Sequence, residues 1–250
     1  VMWLQLSLLG LLARGLGPTS RSRTRTALCT ADTSGFQGAS DECQVGDELA
    51  CAAVDEKKRL LEALKDVDRG FSGSSEQRNK VELLLQQMIH LSPAVSASGL
   101  GGDWELVYTN APDILGLTGG PLAKLSRIGQ QIDAIGGTID NVIEYVPATW
   151  VSSAFANAAD VTADRLQQRV LLTYETDGTR CNIQIRGTSL SAQQVLGVSL
   201  ASAPPLRLQG PLELPFGSFE VLYNDGDLRI VKTQQGYWGV NRRLGPDESW

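Results

Sequence analysis

Two different periodicities divide the chain near residue 100. Over residues 55–92 the apolar residues recur at helical spacing, and a Gly-Phe-Ser-Gly turn at residues 70–73 interrupts them. Over residues 102–243 apolar and polar residues alternate instead, most regularly in Cys181–Arg186, as expected of strands with one face in a protein core. The pattern therefore predicts a pair of helices followed by a β-rich region.

The alternation recurs often enough to predict about eight strands. The candidate segments, nine in all, are Trp104–Thr109, Gln130–Ala134, Asn141–Val146, Phe155–Val161, Gln168–Glu175, Cys181–Arg186, Phe219–Tyr223, Leu228–Val231 and Tyr237–Arg242. Eight antiparallel strands can close into a barrel with room for one small ligand, and closure removes the exposed sheet edges. We therefore expect a mainly β fold, an antiparallel barrel preceded by an α-helical hairpin. An open sandwich is the alternative, whereas the missing helical crossovers disfavour a parallel α/β fold.

The first 31 residues have the composition of a targeting presequence. Residues 2–13 form an apolar run as long as a signal-peptide core and shorter than the roughly 18–20 residues of a membrane span. The following residues are rich in Ser, Thr and Arg and free of acids, as in plastid transit peptides. The two parts in series predict a plastid inside the secretory system, with a plain signal peptide and a basic linker as the alternative. Residues 32–54 are predicted to be a flexible lead-in, and residues 55–250 the folded domain.

The formal net charge of −6 narrows the range of partners. Residues 1–31 hold four arginines and no acid, so the remainder carries 18 basic against 28 acidic residues, a charge of −10. A nucleic-acid surface needs clustered Lys and Arg, so nucleic acid is not an expected partner. An anionic membrane surface repels an acidic protein. Any membrane association is therefore expected to rest on apolar contacts or on a partner protein.

The sequence offers few candidates for catalysis or metal binding. His90 is the only histidine and lies at the end of the second helix, where it complements free carbonyls, and no nucleophile-elbow motif is present. Asp225 and Asp227 could be metal ligands or acid–base groups, but their Asn-Asp-Gly-Asp setting is more simply a turn. A functional Asp225 would lie near a barrel mouth and bind a ligand head group or pair with Arg229. The sequence predicts no catalytic residue, no metal site and no enzyme.

The four cysteines are too few for a disulfide framework in a chain of 250 residues. Their spacing matches no zinc pattern. Cys43 and Cys51 could pair in an oxidising compartment, but the sequence favours free thiols.

The first predicted strand opens with Gly102-Asp103-Trp104, and a Gly-x-Trp start is shared with lipocalins. In those barrels the Trp packs at the closed end, and an Arg from a late strand lies across its ring in a cation–π contact. Arg229, Arg242 and Arg243 are available for that role here.

Several segments in order resemble the plastid lipid-associated, or fibrillin, family over nearly all of residues 56–243. They are Lys58–Ala63, Asp68–Gly70, Gly102–Thr109, Gln130–Asp133, Asn141–Glu144, Gly217–Asp225, Asp227–Val231 and Gly236–Tyr237. The resemblance implies a lipocalin-like barrel in the chloroplast, attached to thylakoids or plastoglobules, that binds carotenoids, quinones or other prenyl lipids. The loop Ala111–Lys124 and the stretch Leu190–Pro215 depart from the family pattern and are expected to reshape the barrel mouth.

The inward faces of the predicted strands form the candidate ligand site. Its residues are Trp104, Tyr108, Ile132, Phe155, Leu172, Tyr174, Ile183, Ile185 and Tyr223, with Asp225 and Arg229 as polar groups. In a narrow barrel such residues are core, and in a wider one they line a cavity. Two functions remain open. One is a non-enzymatic carrier of an apolar lipid or pigment; the other is an accessory subunit docked on a photosystem or antenna complex, with the Pro-containing stretch 190–215 as a stiff protrusion.

Overall fold

The computed structural model describes residues 48–92, 94, 96–155, 164–195, 197–200 and 202–250. The predicted presequence and residues 32–47 of the predicted lead-in lie outside the described residues. The helices are α1 Glu48–Lys65, α2 Ser75–Leu91, α3 Pro112–Leu115 and α4 Thr149–Phe155. The strands are β1 Gly102–Thr109, β2 Ala123–Asp133, β3 Thr138–Pro147, β4 Arg165–Asp177, β5 Arg180–Val195, β6 Val198–Ser199, β7 Leu206–Asn224, β8 Leu228–Thr233 and β9 Trp238–Arg243.

Eight of the described strands close into an antiparallel barrel. Neighbours are hydrogen-bonded in the order β1, β2, β3, β4, β5, β7, β8, β9, and β9 pairs with β1 to complete the ring. The two-residue strand β6 pairs with β5 beside the ring. Every strand of the ring thus has a neighbour on both sides, which leaves no long edge for aggregation. The predicted barrel is confirmed, and the sandwich alternative is wrong.

The helical hairpin covers the outer face of β1, β7, β8 and β9. Helix α2 begins with a capping box, in which the Ser74 hydroxyl accepts from the Gln77 N–H and the Gln77 side chain accepts from the Ser74 N–H. The apolar stripes of the two helices share one buried cluster with strand residues. Its helical members are Leu60, Ala63, Leu64, Val81, Leu84, Leu85 and Met88, Val67 belongs to the linker after α1, and its strand members are Tyr108, Tyr223, Leu228, Ile230, Trp238 and Val240. The predicted helical pair is confirmed, although α1 begins earlier than residue 55.

Two β-bulges decide which way Tyr108 and Tyr223 face. The pairing of β1 with β9 shifts between Leu106 and Tyr108, and the pairing of β7 with β8 shifts between Val221 and Tyr223. One extra residue in a strand moves the side chains that follow it to the opposite face. Tyr108 and Tyr223 therefore pack against the helices on the outer face. The inward orientation predicted from strict alternation is wrong for both.

The linker between α1 and α2 is fastened to the end of β1. The Thr109 N–H donates to the Arg69 carbonyl over 3.0 Å, and the Arg69 guanidinium donates to the Ser126 carbonyl over 2.6 Å. Gly70 has a φ of +95°, and a Cβ at this position would lie 2.0 Å from the Thr109 carbonyl oxygen. The linker therefore needs glycine here for both its backbone conformation and its close approach to β1.

Three sequence predictions, about a strand, a loop and the cysteine thiols, differ from the structure. Phe155 is the last residue of α4 rather than the first of a strand, and residues 156–163 lie outside the described residues. The stretch Leu190–Pro215, expected to protrude as a loop, contains the end of β5, all of β6 and the start of β7. Cys51 is disulfide-bonded, so the prediction of free thiols is wrong for this residue.

None of the described helices is long and apolar enough to cross a bilayer. The apolar run at residues 2–13 lies outside the described residues.

Candidate ligand-binding site in the barrel mouth

The two ends of the barrel differ in how they are filled. We call the end near Gly102 and Arg243 the closed end, and the opposite end, where β5 ends and β7 begins, the mouth. At the closed end a cluster of side chains fills the interior. It contains Leu100, Trp104, Ile132, Ile139, Val170, Leu172, Cys181, Phe219, Val221 and Val231, with Tyr174, Ile183 and Ile185 partly buried against it. This part of the interior is core.

Trp104 organises the closed end. The indole is fully buried, and its Nε1–H donates to the Leu100 carbonyl over 2.8 Å. The guanidinium carbons of Arg229 and Arg243 lie 4.6 and 4.4 Å from the centre of its ring, within cation–π range. Arg242 instead pairs with Glu105 and Glu248. The lipocalin-like Trp–Arg contact is therefore made by two of the three predicted arginines.

Arg229 also begins a polar belt across the interior, which we define as Arg229, Gln130 and Asn141. Arg229 Nη2 donates to Gln130 Oε1, and Gln130 Nε2 donates to Asn141 Oδ1 over 2.9 Å. Burial, together with the neighbouring charge of Arg243, lowers the pKa of Arg229 to about 9. The guanidinium remains protonated at neutral pH, stabilised by the indole face and the belt. The belt lies against the closed-end cluster, because Arg229 contacts Trp104 and Asn141 pairs with Val170.

A cavity of about 430 Å³ occupies the mouth. Its lining residues are Thr118, Gly119, Ala123, Tyr145, Leu166, Gln168, Thr188, Ser189, Leu190, Leu206 and Leu208. The pairing of strands places Leu206 and Leu208 of β7 on the interior face. Leu208 pairs with Thr188, which in turn pairs with the buried core residue Val170. Leu206 and Leu208 are nevertheless 74% and 67% exposed. The apolar cavity wall thus continues into an exposed apolar rim.

A second cavity of about 480 Å³ adjoins the first. It is lined by the α1–α2 linker at residues 68, 69 and 71, by residues 117–120 and by the start of β2 at residues 123–125. Thr118, Gly119 and Ala123 line both cavities. The divergent loop Ala111–Lys124 therefore forms the partition between them and lies at the mouth, where the sequence predicted it.

Tyr145 on β3 is the unusual member of the mouth cavity. It pairs with Leu125 on β2 and with Leu166 on β4, and it is only 5% exposed. Its hydroxyl is buried and has no hydrogen-bond partner among the described residues. Burial raises its pKa, so the hydroxyl is neutral at physiological pH. No Asp, Glu, His, Lys or Arg lines this cavity in the described part of the chain.

The sequence-predicted site residues fall into separate places. Those at the closed end are Trp104, Ile132, Leu172, Tyr174, Ile183, Ile185 and Arg229. Tyr108 and Tyr223 lie under the helices, and Phe155 ends α4 with its side chain outside the described part of the structure. The structure brings none of these residues into the lining of the mouth cavity.

Asp225 lies in the β7–β8 turn at the closed end, not at the mouth. Its Oδ1 accepts from the N–H groups of Asp227 and Leu228, and its Oδ2 accepts from Lys57 Nζ and the Tyr223 hydroxyl, both over 2.6 Å. Burial opposes ionisation, but the hydrogen bonds from Lys57, Tyr223 and Leu228 outweigh it and lower the pKa of Asp225. Asp225 therefore ties α1 to the barrel through Lys57 rather than pairing with Arg229.

Sequence reasoning missed the mouth lining because a bulge in β5 interrupts the alternation. Cys181, Ile183 and Ile185 point inward at odd positions, and the pairings of β5 with β4 and β7 shift between Ile185 and Gly187. After the shift, even positions such as Leu190 face the interior. The signal that could have revealed this is Gly187, because glycine inside an alternating strand often marks a bulge.

The described residues contain no group of three or more His, Cys, Asp or Glu side chains that could hold a metal ion. The candidate site is therefore defined by the apolar cavity in the mouth.

A closed antiparallel barrel with a Trp–Arg contact at one end and an apolar mouth at the other is a lipocalin-like barrel. The profile of the PAP_fibrillin family matches residues 54–240, and the chain belongs to that family.

Three relatives illustrate the similarity. The chain is 27% identical to the probable plastid-lipid-associated protein 2 of Arabidopsis thaliana over 238 residues, which cover 79% of this chain and 76% of that protein. It is 33% identical over 112 residues to the chromoplast-specific carotenoid-associated protein C1 of an Oncidium hybrid cultivar, which covers 42% of this chain and 35% of that protein. It is 29% identical over 211 residues to the chloroplastic light-induced protein of Solanum demissum, covering 72% and 64%. No solved structure gives a significant match.

Proposed function

We propose that this protein is a plastid barrel that holds one apolar lipid or pigment in its mouth cavity without covalent chemistry. The observation that carries the proposal is the apolar cavity of about 430 Å³ that opens onto exposed leucines. Its volume lies within the range of about 300–1,000 Å³ that ligand pockets occupy. The names of two relatives, which refer to plastid lipids and to carotenoids, support a ligand of the same class.

An elongated ligand would place one end in the cavity and the rest along the rim. The filled closed end and the polar belt close the interior beyond the cavity, so the whole of a long prenyl chain or carotenoid does not enter. The exposed Leu206 and Leu208 continue the cavity wall outward. Apolar surface buried against such residues contributes about 25 cal/mol per Å².

We further propose that the rim contacts a thylakoid or plastoglobule surface from which the ligand enters. We define the rim by its exposed apolar residues at the mouth, which are Leu122, Trp150, Leu190, Val195, Val198, Leu206 and Leu208. Trp150 donates to the Pro121 carbonyl, which holds the indole beside Leu122. Tryptophan suits the boundary between lipid and water because its ring has an apolar body and one polar N–H. The acidic composition favours such apolar contacts over electrostatic attraction to anionic lipids.

The chloroplastic and chromoplastic locations in the names of the relatives support a plastid location. We take residues 1–31 as the presequence for a plastid inside the secretory system and residues 55–250 as the domain that acts there. The accessory-subunit hypothesis relied on a stiff loop over residues 190–215. This region contains strands, and its Leu190, Leu206 and Leu208 line the cavity, so that observation no longer supports docking on a photosystem.

The double substitution Leu206→Ser with Leu208→Ser tests the proposed function. We expect at least about ten-fold less of the variant than of the wild type to float with plastid-lipid vesicles, because two exposed apolar contacts are lost. The variant should also retain at least about ten-fold less carotenoid or prenylquinone after gel filtration. The matched control is Ile135→Ser, since Ile135 is 97% exposed in the β2–β3 turn at the closed end. The control should behave as the wild type.

Two results would contradict the proposed function. One is that protein purified from plastids carries no stoichiometric lipid or pigment. The other is that the double variant and the control lose vesicle binding equally, because exposure anywhere on the surface would then explain the effect.

A further inference from the structure

We infer that the mouth cavity selects neutral lipids that carry a hydroxyl or carbonyl group, and that Tyr145 binds this group through its hydroxyl. The inference rests on the proposed function and names the ligand class for the same cavity. It comes from the chemistry of the described cavity wall, in which one buried polar group has no partner and none of the described lining residues is charged.

The Tyr145 hydroxyl is the first observation. Nearly all buried polar groups in proteins are hydrogen-bonded, because leaving one unpaired loses the bond that it made with water. A phenylalanine would fill almost the same volume between Leu125 and Leu166 without this loss. A tyrosine whose hydroxyl has no partner among the described residues is therefore explained if the partner arrives with the ligand.

The absence of charge in the described lining is the second observation. A carboxylate or phosphate buried in this cavity would meet no cationic side chain among the described residues that line it, and an unpaired buried charge is far more costly than an unpaired hydroxyl. The neighbouring Arg69 lines the other cavity and is engaged by the Ser126 carbonyl and the Asp68 carboxylate. The cavity therefore disfavours fatty acids and the head groups of phospholipids.

The two observations together define the ligand chemistry. A pure hydrocarbon would leave the Tyr145 hydroxyl unpaired, and a charged lipid would lack a counter-charge. A quinone or a hydroxylated carotenoid satisfies both conditions. Gln168, on the same interior face, offers an amide for a second polar atom of the head group. Neighbouring side chains cover the Tyr145 hydroxyl. Binding therefore requires the Tyr145 ring to shift towards the ligand or these side chains to move aside.

The substitution Tyr145→Phe tests the inference with three probes added to the full chain, which are a prenylquinone, β-carotene and oleate. We expect the wild type to bind the prenylquinone at least about ten-fold more tightly than β-carotene or oleate. Tyr145→Phe should lose about ten-fold in affinity for the prenylquinone and keep its affinity for β-carotene. The matched control is Tyr108→Phe, which removes a buried hydroxyl from the helix-covered face and should change none of these affinities.

The melting temperature without added lipid separates a ligand-binding role from a structural one. Because the Tyr145 hydroxyl has no described partner, Tyr145→Phe should melt at the same temperature as the wild type or higher. A lower melting temperature would overturn the inference, since the hydroxyl would then stabilise the fold. Equal affinities of the wild type and Tyr145→Phe for the prenylquinone would overturn it as well, while leaving a lipid-binding barrel intact. If the wild type binds none of the probes, the proposed function itself fails.

Discussion

Single side chains with similar sequence signals have different roles in this protein. Tyr108, Tyr145 and Tyr223 all lie on alternating strands, yet only Tyr145 lines the mouth cavity. The Tyr223 hydroxyl donates to Asp225. Burial raises the pKa of Tyr223, and this hydrogen bond raises it further. Asp225 in turn binds Lys57 on α1. The residue predicted to bind a ligand thus holds the turn and the helix together.

The substitution Asp225→Asn tests this structural role through pH. The pKa of Asp225 is lowered in the folded protein, so its stabilising effect is present above its ordinary pKa of 3.8 and is lost as the pH falls through the lower folded value. We expect the variant to be about 1–2 kcal/mol less stable than the wild type at pH 7, because hydrogen bonds to a charged group are lost. Urea denaturation at pH 7, 5 and 3 should show this difference shrinking below pH 4.

The exposed pair of Glu62 and Lys65 provides the control for that measurement. Glu62→Gln should change the free energy of unfolding by less than about 0.5 kcal/mol, since solvent screens exposed ion pairs. A difference between the wild type and Asp225→Asn that stays constant from pH 7 to pH 3 would contradict the assigned role of the carboxylate.

At the scale of secondary-structure elements, the helical hairpin and the barrel depend on each other. Strand β8 is apolar on both faces, because Leu228 and Ile230 contact the helix-covered cluster while Val231 contacts the interior. A strand with two apolar faces needs a covering layer on each side. The helices supply the outer layer, and the linker fastened to Thr109 sets their position.

The substitution Leu85→Ala tests whether helices and barrel unfold together. Leu85 is fully buried in the cluster between the helices and the barrel, so its truncation should cost about 2–5 kcal/mol. Leu83→Ala is the control on the same helix, because Leu83 is exposed and its loss should cost less than about 0.5 kcal/mol. Thermal unfolding followed by far-ultraviolet circular dichroism and by tryptophan fluorescence should give coincident transitions. A barrel signal that persists after the helices have melted would show that they are independent.

At the scale of the whole molecule, the barrel separates a filled core from an apolar cavity along its axis. The closed end combines a filled core with the buried Trp104 and its two arginine contacts. The mouth combines an apolar cavity with an exposed rim. Substitutions at the closed end should therefore lower the stability of the fold, whereas substitutions at the mouth should weaken ligand binding.

The substitution Trp104→Phe tests this separation. It removes the hydrogen bond to Leu100 and weakens the contacts with Arg229 and Arg243, so it should cost about 2–3 kcal/mol of stability. At a temperature where the variant is fully folded, its affinity for a prenylquinone should equal that of the wild type. The rim double variant should show the reverse, with unchanged stability and weaker binding. A loss of affinity in folded Trp104→Phe would mean that the ligand reaches the closed end.

The sequence predicted the helical pair and about eight strands from local periodicity, and it favoured a barrel with an open sandwich as the alternative. The Trp–Arg contact was expected from the Gly-x-Trp start shared with lipocalins, with three arginines as candidates. The sequence was not sufficient for the α4 segment, where an apolar stretch from Phe155 suggested a strand. It also did not predict the strands within residues 190–215, where Pro204 and Pro205 suggested a loop although they only precede β7. Short apolar runs do not distinguish helix from strand without their neighbours.

Alternation by itself determined that the strands exist and that each has an apolar face. Only the tertiary structure decided which way that face points, because the bulges before Tyr108 and Tyr223 and around Gly187 reverse the inward side within a strand. A bulge is fixed by hydrogen bonding to the neighbouring strand, which local sequence does not contain. The barrel could therefore be predicted from the sequence, whereas the filling of its closed end, the mouth cavity and the position of Tyr145 in it depend on how distant strands pair.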